Sequence, residues 1–214
     1  MGNRLAVYGG TFNPIHNGHL HLCMECQRQL HFDRILLMPA NLPPHKEAVD
    51  LAGNRDRYEM CRIAARAMPE LEACDLELRL SGVSYTVHTL RELHRREPGQ
   101  ELFFLLGSDM LYSFHRWYRY REILSLATIV AGAREQEEYD RMLAYRDTLG
   151  ELGSRVQVLR LSALPLSSTE IRQALRRGDA SVRQALPPGV AEYIEAHGLY
   201  RTGTCKEAGQ DDEQ

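Results

Sequence analysis

Six short runs rich in Leu, Val, Ile or Phe recur along this chain, at Arg4 to Tyr8, Arg34 to Met38, Asp75 to Leu80, Glu101 to Leu106, Ala127 to Ala131 and Arg155 to Leu161. Helical spacing of apolar residues fills most of the gaps: Gly18 to Leu30, Arg55 to Ala67 with Tyr58, Met60, Ile63 and Ala64 in phase, and Thr86 to Arg96 with Val87, Leu90 and Leu93 in phase. Strands alternating with helices of ten or more residues restrict the chain to βαβ units, hence to an α/β fold with a doubly wound, mainly parallel sheet of about six strands. With 214 residues, 43% of them hydrophobic, one full core can form without metal or disulfide, so residues 1–202 are expected as a single domain. The polar, charged residues 203–214 are expected as a disordered tail.

In such a sheet, ligands sit beyond the carboxyl ends of the strands, so the strand-end loops carry the functional reading. After the first strand comes GGTFNPIHNGHL, Gly9 to Leu20. Paired glycines let backbone N–H groups approach a ligand, and the first turn of the following helix carries orphan N–H groups with partial positive charge, which suits an anion. His16 and His19, at i and i+3, project from one side of that turn. After the second strand a proline-stiffened loop delivers His45 and Lys46, the lysine being either a phosphate clamp or an ordinary solvated side chain. Ser84, Tyr85 and Thr86 open another helix as ligand hydroxyls or as a simple N-cap, and Gly107-Ser108-Asp109 places a carboxylate where it can accept from a ribose or cap a turn. Tyr112, Phe114, Trp117, Tyr118 and Tyr120 follow, fit for core packing or for stacking on a base.

Glu135 to Leu149 reads as a solvated surface helix. Leu164 to Arg172 then opens a helix that continues to Arg177, and Pro187-Pro188 starts a last helix to about His197. Ser167 and Glu170 have capping-box spacing, while the hydroxyls of Ser167, Ser168 and Thr169 with Arg172 one turn in also describe a polyphosphate cradle.

Charge and cysteine usage remove other classes. A formal net charge of -3 and a pI near 6.3 provide no basic field for nucleic acid or an anionic membrane, so any phosphate binding must be local. No apolar run approaches the roughly 20 residues of a membrane span, and the N-terminus lacks the build of a signal peptide, so a cytoplasmic location is expected. Five scattered cysteines suggest reduced thiols, and Cys23-x-x-Cys26, inside a helix and without a second pair, reads as buried helix-face thiols rather than a metal or redox site. His16, His19 and His21 lack metal-motif spacing. There is no P-loop and no dinucleotide-binding glycine pattern.

Together, the motifs carry a resemblance. His16-Asn17-Gly18-His19 resembles the (H/T)xGH signature of the nucleotidyltransferase superfamily, and LSSTEIR from Leu166 to Arg172 is similar to its second signature, ISSTxIR. PPHK at Pro43 to Lys46, SYT with TL at Ser84 to Leu90, GSD at Gly107 to Asp109 and Trp117-Tyr118 resemble the bacterial nicotinate-nucleotide adenylyltransferases, over Leu5 to Gly198. Two positions depart from the family pattern: Asn13 and His88 stand where Asp is common. The resemblance implies a Rossmann-like fold and transfer of the adenylyl group of ATP to nicotinate mononucleotide, forming deamido-NAD and pyrophosphate. Nicotinamide mononucleotide or phosphopantetheine as acceptor, or a noncatalytic nucleotide sensor, are the alternatives. It further implies Gly9, Gly10, Thr11, Phe12, His16, His19, Gly107, Asp109, Ser168, Thr169 and Arg172 on ATP. Lys46, Ser84, Tyr85, Thr86, Trp117 and Tyr118 are implied on the mononucleotide, and His16, His19, Lys46 and Arg172 as the catalytic set. Mg²⁺ would arrive with ATP rather than on protein ligands. The implied partners are these small molecules, with a homo-oligomer left open.

Overall fold

A computed structural model describes residues 3–41, 51–80, 83–162 and 164–201. Lys46 and the tail 203–214 lie outside the described residues. Six strands form one sheet: β1 (Arg4–Gly10), β2 (Arg34–Pro39), β3 (Leu71–Ala73), β4 (Glu101–Gly107), β5 (Thr128–Ala133) and β6 (Val156–Arg160). Their order is β3-β2-β1-β4-β5-β6 and every pairing is parallel. Strand order reverses between β1 and β4, which opens a crevice at their carboxyl ends.

Helices α1 (Asn17–Leu30), α2 (Asn54–Ala64), α3 (Leu76–Arg79), α4 (Thr86–Arg96), α5 (Ser108–Tyr112), α6 (Tyr120–Leu126), α7 (Gln136–Thr148), α8 (Ser168–Arg176) and α9 (Val190–Ala196) flank the sheet. The central strands are apolar at consecutive positions because both faces are covered. One face, with Ala6, Tyr8, Ile35, Leu37, Phe103 and Leu105, packs against Leu20, Cys23 and Cys26 of α1, Met60 and Cys61 of α2, and Ile194 of α9. The other, with Leu5, Val7, Leu36, Met38, Phe104 and Leu106, packs against Val87, Leu90 and Leu93 of α4, Ile123 of α6 and Met142 of α7. The doubly wound architecture follows directly from that alternation. Cys23, Cys26 and Cys61 are fully buried in the first layer, and burial raises all three thiols, Cys26 to about 12. They behave as small apolar groups in a helix face.

Two expectations need correction. The third strand is not Asp75 to Leu80 but Leu71–Ala73, which pairs Ile35 with Leu71 and Leu37 with Ala73. The DLELRL pattern alternates like a strand, yet after Ala73 the chain turns off the sheet edge, and Asp75 accepts from Arg79 one helical turn later at 2.8 Å. The segment becomes α3, and its buried face carries Leu76 and Glu77. The helix at 135–149 is not wholly solvated either, because Met142 of α7 is completely buried. Among the described residues, no helix is long and apolar enough to cross a membrane.

Candidate active site

The first loop builds its site by folding one aromatic inward. Phe12 sits in the left-handed region at φ 47, and its ring, 2% exposed, meets Tyr8 edge-on at 5.4 Å and His19 at 5.1 Å. A side chain in that region costs roughly 1 kcal/mol or more, so the surrounding packing must hold it there. Gly10 leaves space for that ring, since a Cβ there would lie 3.0 Å from it. The Phe12 side chain thus forms the floor under His19, leaving its backbone to a ligand.

His16 is the N-cap of α1, and its backbone N–H donates to Nδ1 of His19 at 3.1 Å. His19 therefore takes the place of the Glu in a capping box, with Nδ1 as acceptor and the neutral ring's proton on Nε2. The two rings stack at 3.7 Å. Gly18 permits this, because a Cβ there would lie 3.0 Å from the His16 ring. Burial first, and the positive charge of Arg134 second, push the His16 imidazole down from its ordinary 6.5 to about 4. Its Nδ1 is buried without a hydrogen-bond partner. Between pH 6.5 and 4 the unfolded chain binds a proton at this ring that the folded chain does not, so the contribution is complete above 6.5 and lost on descending to 4. Tm should fall across that interval in the native chain, and the fall should be shallower in His16→Asn; an unchanged pH profile would mean that His16 carries none of it.

The second motif docks on the first. Ser168 Oγ donates to the Pro14 carbonyl at 3.0 Å, and Arg172 donates from Nη1 to the Asn13 carbonyl at 2.8 Å and from Nη2 to Thr169 Oγ1 at 3.4 Å. Ser167 is the N-cap of α8 but makes no side-chain capping bond, so the capping-box expectation does not hold; these side chains tie the helix to the loop instead. Asn13, 6% exposed, accepts at Oδ1 from the Ala52 N–H at 3.0 Å and the Tyr200 hydroxyl at 2.7 Å. An amide oxygen thus ties this loop to the segment before α2 and to Tyr200 beyond α9.

Across the crevice, Gly107 caps α5 and leaves room for Asp109, whose Oδ1 would lie 2.8 Å from a Cβ at 107. Ser84 Oγ accepts from the Asn41 N–H at 2.9 Å. Trp117 is half core, packed against Phe104 and Phe114 at 6.1 and 5.3 Å, with its indole N–H buried and unpartnered. Tyr118 is 48% exposed and meets Tyr85 at 4.9 Å. His88 lies against both tyrosines, at 5.9 Å from Tyr85 and 6.0 Å from Tyr118, so this position serves ring packing and carries no carboxylate.

One cleft of about 950 Å³ gathers these groups. It is lined by Gly9, Gly10, Thr11, Phe12, His16, His19, Ser84, Tyr85, Thr86, Gly107, Asp109, Trp117, Tyr118, Ser168, Thr169 and Arg172, every sequence-predicted site residue that is described. Three further charged residues line it: Glu77, Arg116 and Arg134. Glu77 was hidden in the misread third strand; it is 5% exposed, accepts from Thr89 Oγ1 at 2.7 Å, and burial raises its carboxyl. Arg134 directly follows β5, and that position at a strand's carboxyl end was the available signal.

The sequence and fold were compared with known proteins. The cytidylyltransferase-like family model matches residues 7–174. A probable nicotinate-nucleotide adenylyltransferase of Desulfatibacillum aliphaticivorans is 37% identical over 217 residues, covering 92% of this chain and 99% of the relative. One from Syntrophotalea carbinolica is 37% identical, covering 93% and 98%. Among solved structures, Plasmodium falciparum nicotinic acid mononucleotide adenylyltransferase complexed with NaAD shares the fold at a TM-score of 0.74 and 18% identity, covering 92% of this chain and 97% of that one. With both motifs docked on one cleft, the chain belongs to the cytidylyltransferase-like family, among the nicotinate-nucleotide adenylyltransferases.

Proposed function

We propose that this chain transfers the adenylyl group of ATP to nicotinate mononucleotide, releasing pyrophosphate and forming deamido-NAD. The observation that carries this reading is the docking of α8 on the first loop, through Ser168 to Pro14 and Arg172 to Asn13. It sets the start of α1 and the start of α8 on one cleft, two positive helix ends for one triphosphate.

In the reaction, a phosphate oxygen of the mononucleotide forms a bond to the α-phosphorus of ATP as the bond from that phosphorus to the bridging oxygen of the β-phosphate breaks. A phosphate monoester is a sufficient nucleophile at neutral pH, so positioning and charge stabilisation are what the protein must supply. His19 presents its Nε2 proton to the reacting phosphoryl oxygens, held by the His16 N–H behind it. His16, neutral at pH 7, adds hydrogen bonding without a fixed charge. Ser168, Thr169 and Arg172 receive the β- and γ-phosphates, Gly9, Gly10, Thr11 and the Phe12 backbone receive them from the other side, and Asp109 with Gly107 takes the ribose. Ser84, Tyr85, Thr86, Trp117 and Tyr118 form the mononucleotide wall, and Lys46 belongs to the same role by its motif.

Among the described residues, no group of three or more His, Cys, Asp or Glu side chains is placed to hold a metal ion. Hydroxyls, imidazoles and the guanidiniums of Arg116, Arg134 and Arg172 fit an ion carried in by phosphate, and Mg²⁺ bound to ATP would neutralise phosphate charge there.

The test is pyrophosphate release with ATP, Mg²⁺ and nicotinate mononucleotide, nicotinamide mononucleotide or phosphopantetheine in turn. Turnover should be fastest with the nicotinate acceptor. Preference for the amide would overturn the choice of acceptor, and silence with all three would overturn the enzyme and leave a nucleotide sensor.

A further inference from the structure

Glu77 of α3 lines the cleft together with Ser84, Tyr85 and Thr86, yet adenylyl transfer as described gives it no part. It is buried, and so is Thr89 of α4, whose hydroxyl donates to Glu77 Oε1 at 2.7 Å. The Ser84 hydroxyl bonds the same carboxyl group. Burial raises that carboxyl, and the bonds from Thr89 and Ser84 act against the rise, which marks both hydroxyls as donors to the charged form. Among the described residues Glu77 has no ion pair, so hydroxyls rather than a cation hold it in place.

The two hydroxyls stand on either side of the start of α4: Ser84 two residues before Thr86, the first helical residue, and Thr89 three residues after it. One carboxylate holding both therefore fixes how the chain enters the helix. The bonds continue outward, since Ser84 Oγ accepts from the Asn41 N–H at 2.9 Å and Asn41 Nδ2 donates to the Leu80 carbonyl at 3.2 Å. Because the single proton of Ser84 goes to Glu77, Ser84 contributes position to the mononucleotide wall rather than a hydrogen bond to phosphate. No side chain caps α4, which leaves its first N–H groups to a ligand, and their direction depends on that entry. For stability alone, apolar side chains of similar volume would serve as well as a buried carboxylate. What the carboxylate adds is two acceptor oxygens at a fixed angle.

We propose that Glu77 is a positioning residue for the mononucleotide: its carboxylate clamps Ser84 and Thr89, fixes the entry into α4, and so holds Tyr85 and Thr86 where the acceptor binds. This rests on the adenylyl-transfer reading for its ligand, and the test is a binding measurement that needs no turnover.

Glu77→Gln is the discriminating variant, because it keeps the shape but replaces one acceptor oxygen with an NH₂ group that cannot take a hydroxyl proton. Calorimetric titration should show Kd for nicotinate mononucleotide raised about tenfold in Glu77→Gln and in Ser84→Ala, while Kd for ATP stays within about twofold of the native chain. The double variant should bind the mononucleotide no more than about threefold more weakly than either single one, since both remove the same link. Thermal melts establish that each variant is folded; if Glu77→Gln is not, Thr89→Val, which removes one anchor of the carboxylate at nearly constant volume, decides by raising the same Kd at least about threefold. A folded Glu77→Gln that binds the mononucleotide within about twofold of the native chain, or one that weakens both ligands alike, would overturn the proposal and assign Glu77 to scaffolding. Additive losses in the double variant would overturn it as well. A native chain that binds no mononucleotide would overturn the acceptor reading and this proposal together, whereas one that binds it without releasing pyrophosphate would count against the transferase reading alone.

Discussion

His19→Ala should lower kcat by about three orders of magnitude while changing the KM for ATP by less than about threefold. The ring is placed from three sides: His16 stacks on it, the His16 N–H holds its Nδ1, and Phe12 supports it edge-on. Such restraint is useless for merely attracting an anion, which many donors could do, but it aims one Nε2 proton at a fixed point. A donor that meets charge developing on phosphoryl oxygens contributes chiefly in the transition state. Steady-state kinetics against ATP at saturating mononucleotide checks this, and His19→Gln, which retains an N–H donor on a longer, unsupported stem, should recover only a small part. A loss confined to KM would contradict the assigned role.

Arg172→Ala should lower kcat/KM by about two orders of magnitude, with KM for ATP and kcat both affected. Its guanidinium is the link that holds α8 to the Asn13 carbonyl, and its Nε is buried with no protein partner, a donor left for the ligand. Removing it withdraws phosphate binding and loosens the docking of the second motif on the first. Arg172→Lys should remain close to the alanine variant. An ammonium cannot donate along the Asn13 and Thr169 directions while also filling the position of Nε. Full activity in Arg172→Lys would reduce the residue to a point charge.

Much of this was legible in the residues themselves. The spacing of His16 and His19 and of Ser168, Thr169 and Arg172 carries local information, because helix starts and glycine turns are specified within a few residues. Long-range information was missing where the errors fell. Asp75 to Leu80 alternates convincingly, but a sheet edge accepts only the residues that reach β2 in register, and those are Leu71 to Ala73. Glu77 was lost with that misreading. The burial of Arg57 leaves no local mark in the sequence, since its acceptors come from positions 11, 41, 52 and 54.

The sequence by itself therefore determined the alternation of strand and helix, the parallel sheet, and the two motifs that handle phosphate, all properties of periodicity and of short turns. Only the tertiary structure decided that α8 bonds to the loop after β1, that His19 rests on Phe12, and that Asn13 gathers Arg172, Ala52 and Tyr200. The physical reason is that these depend on which chain segments meet at the β1/β4 reversal, where desolvation gives a hydrogen bond or a bare charge its strength.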